Sequence, residues 1–198
     1  YIDSDWKYIA TTYKKVCGIK TDDALYCWGY MWNEDTADIT DPDFISEPEL
    51  TGTGDWKQIS IDRDHFCGIR TDGSLLCSGK NPDGRLGNGN NNDSVISETV
   101  SGEWITIETS LYNTCAVNTD NELFCWGMDD YGQLGDGNDT DVEVPAAVST
   151  ETFSGISTYK QSCAIASSGN LKCWGQNDTY KIGDGTRRNK RIPTDITV

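Results

Sequence analysis

The side chains best able to do chemistry in this chain are eight cysteines, one histidine and a short acidic run. The cysteines stand as Cys17/Cys27, Cys67/Cys77, Cys115/Cys125 and Cys163/Cys173, and every pair reads C-x9-C. Zinc sites favour close pairs such as C-x2-C and commonly add histidine; a gap of nine and the lone His65 suit that chemistry poorly. Four local disulfides suit it well. The run Asp136-Gly137-Asn138-Asp139-Thr140-Asp141 alternates oxygen ligands around a glycine and faintly matches a calcium loop. It lacks the bidentate glutamate and flanking helices of an EF-hand, so calcium is the weaker alternative to a plain turn. His65 has no nucleophile and orienting acid assigned to it by any motif, so the expectation is no catalytic residue, no cofactor and no metal.

The elements that position these residues follow from a repeat. The first cysteines of successive pairs lie 50, 48 and 48 residues apart. The segments CGIKTDDALYCWG (17–29), CGIRTDGSLLCSG (67–79), CAVNTDNELFCWG (115–127) and CAIASSGNLKCWG (163–175) align without gaps. A fixed period of this length signals a solenoid, propeller or array. Each segment has turn residues at its centre, the third being Asp23, Gly73, Asn121 or Gly169, types that tolerate a left-handed backbone. This predicts a three-residue hairpin loop, a type I turn followed by a bulge residue. In that register Ile69 faces Leu75, Gly68 faces Leu76 and Cys67 faces Cys77 in a non-hydrogen-bonded pair, where alpha carbons approach to about 4.5 Å. Each bridge then closes its own hairpin, contributing roughly 3 kcal/mol.

An aromatic-led strand precedes each hairpin: Trp6–Ile9, Trp56–Ile59, Trp104–Ile107 and Phe153–Ile156. A polar, Gly-rich loop follows, then a strand near a proline, as in Glu143-Val144-Pro145 and Arg191-Ile192-Pro193. Each unit thus offers three or four short strands. Trp28, Trp126 and Trp174 recur beside the second cysteine, which points to packing between units. Trp32 belongs to neither tryptophan series. It sits with Tyr30, Met31 and Phe44 in an irregular acidic stretch, and Trp32, Tyr30 and Phe44 are the candidate protein-contact residues.

The chain has 198 residues, 36% hydrophobic content and a net charge of −16. A unit of about 48 residues buries little core alone and needs neighbours or a staple. The charge argues against nucleic acid, which demands clustered Lys and Arg. Four disulfides imply an oxidising compartment, and no apolar run long enough for a membrane span is present. The sequons at Asn92, Asn138 and Asn177 are candidate glycan acceptors, all expected in loops.

The downstream loops carry the most specific words: Trp126-Gly-Met-Asp-Asp-Tyr131-Gly132-Gln133-Leu134-Gly135-Asp136-Gly137, and Gly84-Arg85-Leu86-Gly87-Asn88-Gly89. With the core H-x-C-G/A-[IV]-x-[ST]-D-G-x-L-x-C-W-G they resemble the regulator of chromosome condensation repeat family, in its disulfide-containing extracellular or bacterial form. That resemblance implies an all-β fold of four propeller-type blades, each of about four antiparallel strands. It also implies structural packing for His65 and a structural turn for the Asp136 loop. Family propellers usually have seven blades and serve as exchange factors, inhibitors or protein-binding platforms. This chain departs from the pattern: it has four units, unit one lacks the Gly-rich words, and unit two has Ser78 where the others have Trp.

The expectation is one repeat domain, 1–198, with approximate repeats at 1–51, 52–101, 102–149 and 150–198, as a closed small ring, an open arc or a stack between chains. The last strand has the phase to precede the first, so copies could join head to tail. The functional expectation is a secreted, non-enzymatic scaffold or protein-binding module, a subunit of a surface fibre in one form; a propeller that binds or inhibits a separate protein is the alternative.

Overall fold

The computed structural model describes residues 5–30 and 44–197. These residues form strands and turns, with no helix among them. Unit one contains β1 (Trp6–Thr11), β2 (Lys15–Lys20), β3 (Leu25–Tyr30) and β4 (Phe44–Gly52). Unit two contains β5 (Trp56–Ile61), β6 (His65–Arg70), β7 (Leu75–Gly79) and β8 (Ser94–Val100). Unit three has β9 (Trp104–Thr109), β10 (Asn113–Asn118), β11 (Glu122–Gly127) and the start of β12 (Val142–Thr158). The rest of β12 opens unit four, followed by β13 (Gln161–Ala166), β14 (Leu171–Gly175) and β15 (Lys190–Asp195). Units one and two are antiparallel four-stranded sheets; β12 runs through the last boundary and joins units three and four into one seven-stranded sheet.

The hairpin register is the one the spacing predicts. Cys17 pairs with Cys27, Cys67 with Cys77, Cys115 with Cys125 and Cys163 with Cys173 across adjacent strands. All four pairs are disulfides, with alpha carbons 4.1 to 4.2 Å apart. The third loop residue has positive φ in each unit, at Asp23 (68°), Gly73 (87°), Asn121 (63°) and Gly169 (90°). The turn closes in the same way each time, as where Gly73 N–H donates to the Arg70 carbonyl and Arg70 N–H to the Ser74 carbonyl.

The core lies between units rather than within them. Cys17, Ile19, Leu25 and Cys27 of unit one pack on Trp56, Ile59 and Ile61 of unit two. Ile69 and Leu75 pack on Trp104, Ile107 and Trp126 of unit three. Val117 and Leu123 pack on Phe153, Ala164 and Trp174 of unit four. Each buried Ile or Leu contributes roughly 1.5–3 kcal/mol. One unit alone therefore exposes both its faces, and the fold is a series of nearest-neighbour interfaces.

Candidate protein-binding surfaces

The Gly-rich loops build the junctions. Asn81, Asp129 and Asn177 stand two residues beyond Gly79, Gly127 and Gly175, and all three are fully buried. Each accepts a backbone N–H through Oδ1, from Leu86 (2.9 Å), Leu134 (2.8 Å) and Ile182 (3.0 Å). Each gives its own N–H to a side chain twelve residues on, Asp93, Asp141 or Asn189. The loop is thereby folded back and aims one carbonyl at the next unit. Arg85 O accepts from Trp126 Nε1 (2.9 Å) and Thr114 Oγ1 (2.8 Å). Gln133 O accepts from Trp174 Nε1 (2.9 Å) and Ser162 Oγ (2.9 Å). Gly87 and Gly135, at φ +71° and +79°, lie on the indole edge; a Cβ there would sit 2.6 or 2.5 Å from the indole nitrogen. Only glycine combines that dihedral with that approach.

The clasp joins two departures noted in the sequence. Unit two has Ser78 in place of Trp, and it follows the unit whose sequence lacks the Gly-rich words. Unit one keeps Trp28, half-buried and tilted against Trp6 with ring centroids 5.9 Å apart. Unit four keeps a full loop, with Lys181 at the Arg85/Gln133 position and Gly183 at φ +82°.

The two outer faces of the arc repeat this pattern in their apolar residues. Ile69, Leu75 and Leu123 are 0% exposed, whereas the equivalent Ile165 and Leu171 of unit four are 49% and 43% exposed. Ile59 and Ile107 are likewise 0% exposed, whereas Ile9 of unit one is 63% exposed. Neither face is covered by another unit among the described residues.

Other residues singled out in the sequence fall as follows. His65 is buried; its Nε2 lies 2.8 Å from Thr114 Oγ1 of the next unit and its Nδ1 lies 2.7 Å from Asp62 Oδ2. Burial works to raise the Asp62 carboxyl, but His65 and two backbone N–H groups outweigh it and hold the carboxyl below its ordinary range. Trp32 lies outside the described residues. Tyr30 is buried, with Lys14 over its ring, so it is not a presented contact residue. Phe44 pairs with Tyr30 in the backbone ladder, and the three candidates do not form a described surface.

Asn92 and Asn138 are exposed. Asn177 is a correction: it is 0% exposed, and its Nδ2 donates to Asp184 Oδ1 (3.1 Å) and to the carbonyls of Thr186 (2.8 Å) and Arg188 (3.2 Å). An amide so enclosed has no room for a sugar. Its two-residue offset from the glycine that ends the hairpin, shared with Asn81 and Asp129, is the signal for a structural role.

The Asp136 loop uses its oxygens on itself. Asp136 accepts from Asn138 N–H (3.1 Å) and Nδ2 (2.8 Å), and Arg191 pairs with Asp139. Among the described residues no group of three or more His, Cys, Asp or Glu has the arrangement to hold a metal ion.

The sequence profile of the regulator of chromosome condensation (RCC1) repeat matches residues 120–163, and a second profile of the same repeat matches 104–133. No curated protein matches the sequence. Among solved structures, the chain is similar over its whole length to 52% of Prp20p from Saccharomyces cerevisiae, a protein described by its binding to Gsp1p and histones, at 16% identity and TM-score 0.84. It is similar over its whole length to 54% of human WBSCR16, at 18% identity and TM-score 0.79. It is also similar, over 89% of its length, to 44% of the ectodomain of the Physcomitrella patens receptor kinase CR4, at 18% identity and TM-score 0.57. The chain spans about half the length of these structures. Residues 104–163 thus match the regulator of chromosome condensation repeat, and the chain as a whole shares the antiparallel propeller-type fold of the solved structures.

Proposed function

We propose that this chain is a non-enzymatic scaffold of an oxidising, extracellular setting that binds protein through the two outer faces of its arc, and that the partner on those faces is a second copy of itself. The observation that carries the reading is the exposure of Ile165 and Leu171 at positions that neighbouring units cover completely elsewhere. The leading face of unit one, with Trp6, Ile9 and Trp28, has the residue types with which Trp104, Ile107 and Trp126 cover unit two. Trp28 would give its indole N–H to the Lys181 carbonyl of the preceding copy. Val16 stands where Thr114 and Ser162 supply a hydroxyl, so that junction would have the indole bond alone. Such a contact is heterologous and propagates into rings or filaments.

The setting is supported by four disulfides, which persist in oxidising compartments. A receptor ectodomain shares the fold. The absence of catalysis is supported by His65, whose nitrogens face Thr114 and Asp62 inside the core.

Light scattering on three proteins tests the reading. The wild-type chain is expected to grow beyond one copy with concentration. Ile9→Asp blocks the leading face and Leu171→Asp the trailing face, so each variant alone stays single. Mixed in equal amounts, they have one intact face of each kind and form dimers but nothing larger. A wild-type chain that stays single up to its solubility limit overturns the reading, as does growth that neither variant affects.

A further inference from the structure

Unit three differs from its sisters at the buried foot of its loop. In units two and four the foot is an asparagine whose Nδ2 donates into a pocket of acceptors. Asn81 Nδ2 gives to Asn88 Oδ1 (3.3 Å) and the Asn90 carbonyl (2.6 Å). Asn177 Nδ2 gives to Asp184 Oδ1 (3.1 Å) and two carbonyls. In unit three the foot is Asp129, fully buried, and its Oδ2 has no hydrogen-bond partner among the described residues. The residue at the Asn88/Asp184 position is Asp136, so the third pocket lacks the side-chain amide that donates across it in the sister units.

Unit four also shows how a carboxylate in that pocket is normally balanced. Lys190 Nζ lies 2.7 Å from Asp184 Oδ2. Lys190 pairs with Gly175 in the ladder; Val142 pairs with Gly127 at the same place in unit three. Unit three therefore lacks both the amide and the lysine. The charges acting on Asp129 are Asp136, Asp141 and Asp139, all of one sign. Nearby cations are engaged elsewhere: Arg191 with Asp139, and Arg85 with Asp83 and the Leu111 carbonyl.

We infer that Asp129 carries a proton in the folded chain, and that this proton supplies the donor which the Asn81 and Asn177 amides supply in the sister units. An ionised Asp129 leaves oxygens facing oxygens beneath the segment that aims Gln133 O at Trp174. The junction between units three and four is therefore firmer in acid than in mild alkali. Burial pushes this carboxyl up to about 7, with its acidic neighbours adding and the Leu134 N–H opposing. A carboxyl raised above its unfolded value binds more protons folded than unfolded. Stability from it is full below about pH 4, falls as pH climbs toward about 7, and is level above.

The test compares thermal unfolding of the wild type and Asp129→Asn, which restores the sister amide, across that range. The variant is expected to unfold at a clearly higher temperature at about pH 8, and the advantage to shrink by about pH 5 and vanish below about pH 4. The limiting change in the wild-type folding equilibrium is on the order of a thousandfold. Parallel pH profiles for the two proteins overturn the inference. Should the variant fail to fold, carboxyl carbon NMR of the wild type decides: a titration midpoint near 7 supports it and one near 4 overturns it. Added calcium that stabilises the wild type at about pH 8 but not Asp129→Asn also overturns it, because a cation rather than a proton then fills the pocket.

Discussion

Trp126 gives its indole N–H to the carbonyl of Arg85, 2.9 Å away across the boundary between units two and three. The same bond joins Trp174 to Gln133 one unit later. Because the carbonyl belongs to one unit and the indole to the next, this bond ties the loop geometry of each unit to the packing of its neighbour.

Removing the donor while keeping a large ring should weaken the junction modestly. Trp126→Phe is expected to cost about 1–2 kcal/mol, since Thr114 still donates to Arg85 O. Trp126→Ala opens a cavity and is expected to cost about 3–5 kcal/mol. The midpoint of urea unfolding reads both. A Trp126→Phe variant as stable as the wild type would mean that the hydrogen bond contributes nothing.

The glycine on the indole edge should be far less replaceable than one in open space. Gly135→Ala places a methyl carbon 2.5 Å from Trp174 Nε1, whereas Gly185→Ala meets nothing within 4 Å, and both positions have positive φ. Backbone strain of about 1–2 kcal/mol is common to both. Overpacking should add about 1–3 kcal/mol at Gly135 alone. Unfolding midpoints that rank the other way would contradict the close approach.

Each disulfide should stabilise its own unit. Replacing Cys17 and Cys27 together by Ser, or Cys163 and Cys173, is expected to cost about 3 kcal/mol each. The two losses should add, because the end units share no interface among the described residues. Peptide mapping without reduction should recover only the four local pairs; a bond between units would contradict the register.

Glycan occupancy should divide by burial. Expressed in a eukaryotic secretory host, the chain should show glycans at Asn92 and Asn138 at most, with Asn177 bare. Asn177→Gln should destabilise by about 1–3 kcal/mol through its lost loop bonds. Glycopeptide mass spectrometry and unfolding of the variant check the two halves. A sugar on Asn177 would refute the folded-back loop.

The hairpins were legible because C-x9-C with a turn residue at the third loop position leaves one register that brings the sulfurs together. Thr71-Asp72-Gly73 states its own geometry. The junctions were only half legible. Recurrence of Trp126 and Trp174 announces packing, but their acceptor lies 41 residues back in another unit, a distance no local pattern reports. The joint absence of the Gly-rich words in unit one and of a Trp at Ser78 held that information, and only the fold shows that the equivalent positions touch at the next two boundaries. Asn177 matched a three-residue acceptor word, but its burial is set by Ile182, Asp184 and Thr186. Tyr30 looked like part of an irregular aromatic patch, yet it ends β3 and is covered.

In the proposed assembly the leading face of one copy seats on the trailing face of another, with Trp28 against the loop around Gly183. A photoreactive phenylalanine analogue at position 28 tests this most directly, with mass spectrometry of the cross-linked peptides. Adducts between copies that map to residues 180–185 are expected. Adducts confined to one copy, or mapping to a different face, would contradict it.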